Sequence, residues 1–166
     1  MAIHTIRVYG DPVLRTPTAP VGDIDGPLSR LIDDMIETMY AAPGVGLAAN
    51  QVGVQKRLFV WDVGDGPGVA VNPVVSGHAG EWAYDEGCLS VPGLWWPIVR
   101  PRQVRLQALD RNGDPFTVDA DDLLARVFLH ETDHLDGKLL LSRLDAEQGK
   151  EARKALRERV LDLDPR

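Results

Sequence analysis

Leu123-Leu-Ala-Arg-Val-Phe-Leu-His130-Glu131-Thr-Asp-His134-Leu-Asp-Gly137 is the stretch from which the rest of the chain can be read. On a helix, His130 and His134 sit one turn apart and project from one face. Glu131 follows the first of them, giving the pattern H-E-x-x-H. Two imidazoles can hold a divalent metal, and the carboxylate can take a proton from a water that the metal activates. A shuffled chain of this composition would carry the pattern about 0.003 times, so accident is a poor explanation. One isolated histidine would be read as packed or surface; the pair with its glutamate reverses that reading. Leu123 and Val127 fall on the stripe that carries His130 and His134. The helix is expected to start near Asp119 or Asp121 and to stop at Gly137.

Catalytic sites of this kind use three protein ligands and keep a position open. A histidine six residues after His134 would be one solution, but that position is Leu140, although Gly137 is in register. A second uses a downstream glutamate, Glu151 or Glu158. A third uses the only thiol, Cys88, in Glu86-Gly-Cys-Leu-Ser90. A lone buried cysteine is more often inert core than ligand. The residues by themselves leave the glutamate and thiolate solutions open.

The whole chain narrows the field. Its 166 residues suit one domain, 1–166, able to bury a core without staples. The formal net charge of −7 argues against a nucleic-acid-binding surface. No apolar run reaches the roughly 18–20 residues of a membrane span. The start, Met1 to Val8, lacks the basic and apolar regions of a secretory signal. A single cysteine excludes an internal disulfide and fits a reducing, cytoplasmic setting.

Residues 3–26 read as a turn-rich arm whose Ile6, Val8, Val13 and Leu14 want burial. Leu28, Leu31, Ile32, Met35, Ile36 and Met39 predict a helix, capped by Asp25 or Gly26, opened by Pro27 and ended by Ala42-Pro43-Gly44. Gly44-x-Gly46-x-x-Ala49 follows a helix rather than a strand, so it is not a dinucleotide turn. Its glycines instead let the backbone approach a ligand. Strands are predicted over Leu58–Val63, Val69–Val71 and Arg102–Asp110, with Asn112-Gly113 turning into Pro115–Val118. Leu139–Leu141 reads as a short strand, and Glu147–Leu161 as an amphipathic helix with Ala152, Ala155, Leu156 and Val160 inward. Asp133 and Asp136 read as solvated charges, with Arg100 or Arg102 as candidate partners.

Taken together, Gly44-Val-Gly46-Leu-Ala-Ala-Asn-Gln51, Glu86-Gly-Cys-Leu-Ser90 and His130-Glu-Thr-Asp-His134 resemble the peptide deformylases in order and spacing. The Tyr9–Arg15 arm and the Leu109–Gly113 hairpin extend the resemblance across nearly the whole chain. Leu129 stands where many members have Gln, and Trp95-Trp96 where polar residues are common, which bears on the pocket mouth. The resemblance implies removal of the formyl group from N-formylmethionine at the start of new bacterial polypeptides. It implies an α+β fold, with mostly antiparallel β-sheets around a central metal-binding helix and a helix towards each terminus. Cys88, His130 and His134 would then hold one divalent ion, Fe(II) in the cell, with zinc, nickel or cobalt in purified protein. Glu131 would carry the proton, and the Gln51 side chain and Leu89 backbone N–H would hold the oxyanion. Peptide would lie between Val45–Gly46 and Gly87, with Leu123 and Val127 lining the methionine pocket. The implied partners are nascent N-formylmethionyl polypeptides in the bacterial cytoplasm, with no membrane or nucleic acid; a transient ribosome contact stays open. The competing reading is a zinc metallopeptidase that uses Glu158 or Glu151 as third ligand.

Overall fold

The spacing of apolar residues decides where the elements form. The computed structural model describes the backbone of residues 1–163 and the side chains of residues 1–159. Helix α1 spans Gly26–Ala41, and Leu28, Ile32, Met35 and Met39 on its inner face are all buried. The Asp25 carboxylate caps it by accepting from the Leu28 N–H at 2.9 Å, with Pro27 in the first turn. Burying each of those side chains contributes about 1.5–3 kcal/mol, far more than the cap.

Five strands form one antiparallel sheet: β1 (Gly46–Ala48), β2 (Leu58–Trp61), β3 (Gly68–Ala79), β6 (Gln103–Leu109) and β7 (Pro115–Asp121), in the order β1-β2-β3-β6-β7. Strands β4 (Trp82–Cys88) and β5 (Val91–Arg100) form a separate hairpin. In β6, Val104, Leu106 and Ala108 are buried while Gln103, Arg105 and Gln107 are exposed, the alternation of a half-buried strand. Strand β3 runs on through Pro73, well past the expected Val69–Val71. The pairing of β3 with β6 shifts register between Val71 and Val74, and Asn72 takes a positive φ of 52° there. Its side chain is used at that kink, accepting from the Val21 N–H at 2.8 Å and donating to the Val21 carbonyl at 2.9 Å.

Helix α2, Asp122–Leu135, lies against the five-stranded sheet. Ala125, Phe128 and Leu135 meet Ala48, Phe59 and Leu106 in one apolar cluster, with the Phe128 ring edge-on to Trp61 at 5.0 Å. The helix stops where expected. Gly137 has a φ of 75°, and a Cβ there would lie 2.8 Å from the Arg15 carbonyl oxygen. The predicted strand at Leu139–Leu141 is not formed. Leu140–Arg143 is a single 3-10 turn that buries Leu140 beside Trp96 and Ile98. Three apolar residues carry no period, so packing decides their conformation. Helix α3, Ala146–Leu163, closes the cluster of Leu140, Trp96 and Ile98 with Ala152 inward and Ala155 and Leu156 half-buried; Val160 lies outside the described side chains.

Candidate metal centre

Because α2 is regular, His130 and His134 leave its inner face one turn apart, with ring centroids 4.9 Å from each other. Cys88 ends β4, and the turn to β5 aims its sulfur at the same point. The Cys88 Sγ lies 3.3 Å from His134 Nε2, which lies 3.1 Å from His130 Nε2. The three donor atoms all fall within 4.8 Å of one another. A tetrahedral ion with bonds of about 2.0–2.1 Å to nitrogen and about 2.3 Å to sulfur would separate its ligands by about 3.4–3.6 Å. The separations from His134 to Cys88 and to His130 lie within a few tenths of an ångström of that, so the donor set is of the right size for such an ion. The third ligand is Cys88. Glu151 and Glu158 do not join the cluster among the described residues, which rules against the glutamate-ligand reading.

Charge in the site is arranged for a cation. Burial lowers the His130 pKa, but negative charge on Cys88 and hydrogen bonds to Cys88 and Glu86 raise it well above an ordinary histidine. Burial, aided by repulsion from His130, lowers His134. A proton thus sits where a divalent ion would displace it. The Glu86 carboxylate accepts from His130 Nδ1 at 2.6 Å, which leaves Nε2 for the donor cluster with His134 and Cys88.

Glu86 is itself gripped. Arg100 donates to both of its oxygens at 2.9 and 2.7 Å, and Arg126 adds a third bond at 2.9 Å. Burial would raise the Glu86 pKa, but His130 and Arg100 hold it well below the usual carboxylate range. Asp133 departs from expectation. It is buried rather than solvated, and accepts from Arg100 at 2.8 Å and from Arg143 at 2.7 and 3.0 Å. Asp136 pairs with Arg57 nearer the surface at 2.8 Å, and Arg102 with Asp122 at 2.7 Å. Glu86, Arg126 and Arg143 were not among the residues singled out for the site. The available signal was Arg126, a charge one turn before His130 on a face that must be buried.

Glu131 is 4% exposed, and its Oε2 has no hydrogen-bond partner among the described residues. Burial pushes its pKa up to about 7. The carboxylate lines a cavity of about 820 Å³. Val45, Gly46, Gly87, Leu89, Leu123 and Val127 line that cavity together with His130. Trp95, 64% exposed, stands at the rim against Gly87, whereas Trp96 is buried and shapes no part of the mouth. Gln51 is fixed in orientation. Its Oε1 accepts from the Ala48 N–H at 2.9 Å, so the amide nitrogen must face Ser90 Oγ at 3.1 Å and Cys88 Sγ at 4.0 Å.

Gly46 shows how closely the parts fit. A Cβ there would lie 2.5 Å from Glu131 Oε1 and 3.0 Å from Val127 Cγ1. Gly46→Ala should therefore displace the carboxylate, lowering turnover by roughly tenfold to a hundredfold and stability by about 1–3 kcal/mol. Steady-state kinetics and a thermal melt of the metal-loaded variant check this; an unchanged rate would mean that Glu131 has room to spare.

Comparison with known proteins gives a consistent result. The polypeptide deformylase family matches residues 3–150. A peptide deformylase of Acidothermus cellulolyticus is 51% identical over 158 residues, covering 95% of this chain and 88% of that protein. One from Clostridium botulinum is 52% identical over 143 residues, covering 86% of this chain and 97% of that protein. Among solved structures, a peptide deformylase from Legionella pneumophila superimposes with a TM-score of 0.90 at 41% identity, covering 99% of this chain and all of that one. That of Ehrlichia chaffeensis in complex with actinonin gives 0.91 at 36% identity, covering 96% and 98%.

Proposed function

Since this chain belongs to the polypeptide deformylase family, we propose that Glu131 carries the proton in an N-deformylation and that Gln51 and the Leu89 N–H hold the oxyanion. The protein is a metal-dependent hydrolase that removes the formyl group from N-formylmethionyl peptides and releases formate. Its single divalent ion is held by Cys88, His130 and His134. When bound, that ion acidifies water and polarises the formyl oxygen.

The chain's own groups do the rest. Glu131 takes a proton as water attacks the formyl carbon and returns it to the amine nitrogen as the C–N bond breaks. The observation that carries this role is its buried Oε2, without a partner among the described residues, on the cavity that Cys88 and His130 also line. The Gln51 amide, locked by Ala48, offers a hydrogen to the oxygen on which charge grows; one such donor is worth about 2.7–4 kcal/mol. Strand β1 ends the five-stranded sheet and β4 has β5 alone as neighbour, so each leaves a backbone edge on the cavity at Val45–Gly46 and Gly87. An extended peptide can pair there by strand addition, which tolerates many sequences. Leu123 and Val127 supply apolar surface for the methionine side chain.

Residues 1–166 work as one domain in this reading, supported by the packing of α2 on the sheet and beneath the hairpin that delivers Cys88. No described helix is long and apolar enough to cross a membrane. The substrate exists only while chains are newly made, which supports action in the bacterial cytoplasm with at most transient contact with the ribosome. The decisive experiment follows formate release from formyl-Met and acetyl-Met peptides, with metal analysis on the same sample. Formate should appear only with metal present, and the acetyl peptide should resist. Equal turnover of both, or full activity after chelation, would reject the reading.

A further inference from the structure

The N-terminal arm touches the site in a way that the proposed chemistry has not used. Gln51 and the Leu89–Ser90 turn come from separate parts of the chain, yet their spacing must be fixed if both are to serve one oxygen. The Arg7 N–H donates to the Gln51 carbonyl at 2.7 Å, and the Tyr9 N–H donates to the Ser90 carbonyl at 2.8 Å. Between them, Gln51 Nε2 donates to Ser90 Oγ at 3.1 Å. These three bonds and the chain from Arg7 to Tyr9 close a ring through the Gln51 amide and Ser90, the residue next to Leu89. Ser90, fully buried, also turns its N–H to the Cys88 sulfur at 3.4 Å. Upstream, the arm is tethered to α1, where Ala2 N–H meets Asp34 Oδ1 at 2.7 Å and His4 N–H meets Thr38 Oγ1 at 2.9 Å.

We propose that the Arg7 and Tyr9 backbone N–H groups are positioning groups that hold Gln51 and the Leu89 N–H at the separation the transition state needs. The inference rests on the oxyanion role given to those two donors. It makes the arm a strap across the back of the site. Val8, half exposed between the two bonds, donates its N–H to no described residue, so it is the natural control.

Proline deletes one N–H at a time. Tyr9→Pro and Arg7→Pro should each lower kcat and kcat/KM by about tenfold, with KM and metal content unchanged, while Val8→Pro stays near the parent rate. In a Gln51→Ala background, Arg7→Pro should cost less than about twofold, because the donor it positions is gone. A packing role would give the same loss in both backgrounds, and that result overturns the proposal. So would equal damage from Val8→Pro, or a Tyr9→Pro chain that fails to fold while Val8→Pro folds. Thr38→Val, which removes one of the two upstream tethers without a proline, is the second variant and should show a smaller loss confined to kcat; a KM effect alone would count against the strap. Gln51→Ala on its own separates the two levels. Full activity there removes the oxyanion reading, whereas an impaired Gln51→Ala with unaffected proline variants removes only the strap.

Discussion

Glu131→Gln should keep the fold and the metal, lose roughly a hundredfold to ten-thousandfold in turnover, and make the metal-free protein more stable at neutral pH. The activity loss is the usual share of a general acid–base group. The stability gain comes from the same burial that suits Glu131 to its task. Its pKa is raised from 4.5 to about 7 because the ionised form is desolvated. A folded-state pKa above the unfolded one gives stability that is full below about 4.5 and lost as pH rises through about 7. The gap corresponds to about 3 kcal/mol, and an amide in place of the carboxylate does not suffer that loss. Urea denaturation of both metal-free proteins at pH 4.5 and pH 8 checks it: the parent should weaken at the higher pH relative to the variant. With the ion bound, its charge favours the carboxylate, so the acid limb of kcat/KM lies below pH 7 and vanishes in the variant. Parallel pH curves of stability would show that Glu131 is solvated after all.

The features legible in the sequence were those carried by local period or by chemistry that few residues can supply. The α2 helix announced itself through H-E-x-x-H on an apolar stripe, and β6 through strict alternation. Cys88 was harder. It precedes His134 by 46 residues, and nothing in local spacing brings a sulfur that far; the β4–β5 hairpin does. Periodicity left thiolate and glutamate ligands tied, and family resemblance favoured the thiolate. Asp133 was misjudged because an exposed and a buried aspartate look alike in one sequence. Its partners, Arg100 on β5 and Arg143 in the 3-10 turn, are neighbours only after both cores have formed. The Arg7 and Tyr9 strap is less visible still, since backbone donors carry no residue code.

Arg100→Met should be the most damaging single change to stability, costing about 3–5 kcal/mol. Arg100 is 5% exposed and joins Glu86 to Asp133, so its loss leaves two buried carboxylates short of charge compensation. Methionine fills much of the volume without restoring a donor, which isolates the electrostatic part from cavity formation. Asp133 keeps Arg143, whose side chain is 43% exposed and partly screened by solvent; Glu86 keeps Arg126 and His130. Glu86 would then lean harder on His130, fixing its proton more firmly on Nδ1 while losing the bidentate clamp that orients the carboxylate. Metal affinity should fall by roughly 10–100-fold, the usual effect of disturbing a ligand's hydrogen-bond partner. Paired measurements separate the two effects: urea denaturation of the metal-free protein for stability, and competition with a chelator for affinity. Adding Glu86→Gln to Arg100→Met should recover part of the stability, because the uncompensated charge is removed, but none of the affinity, because His130 remains without its anionic partner. Recovery of both together would mean that the network serves the fold alone.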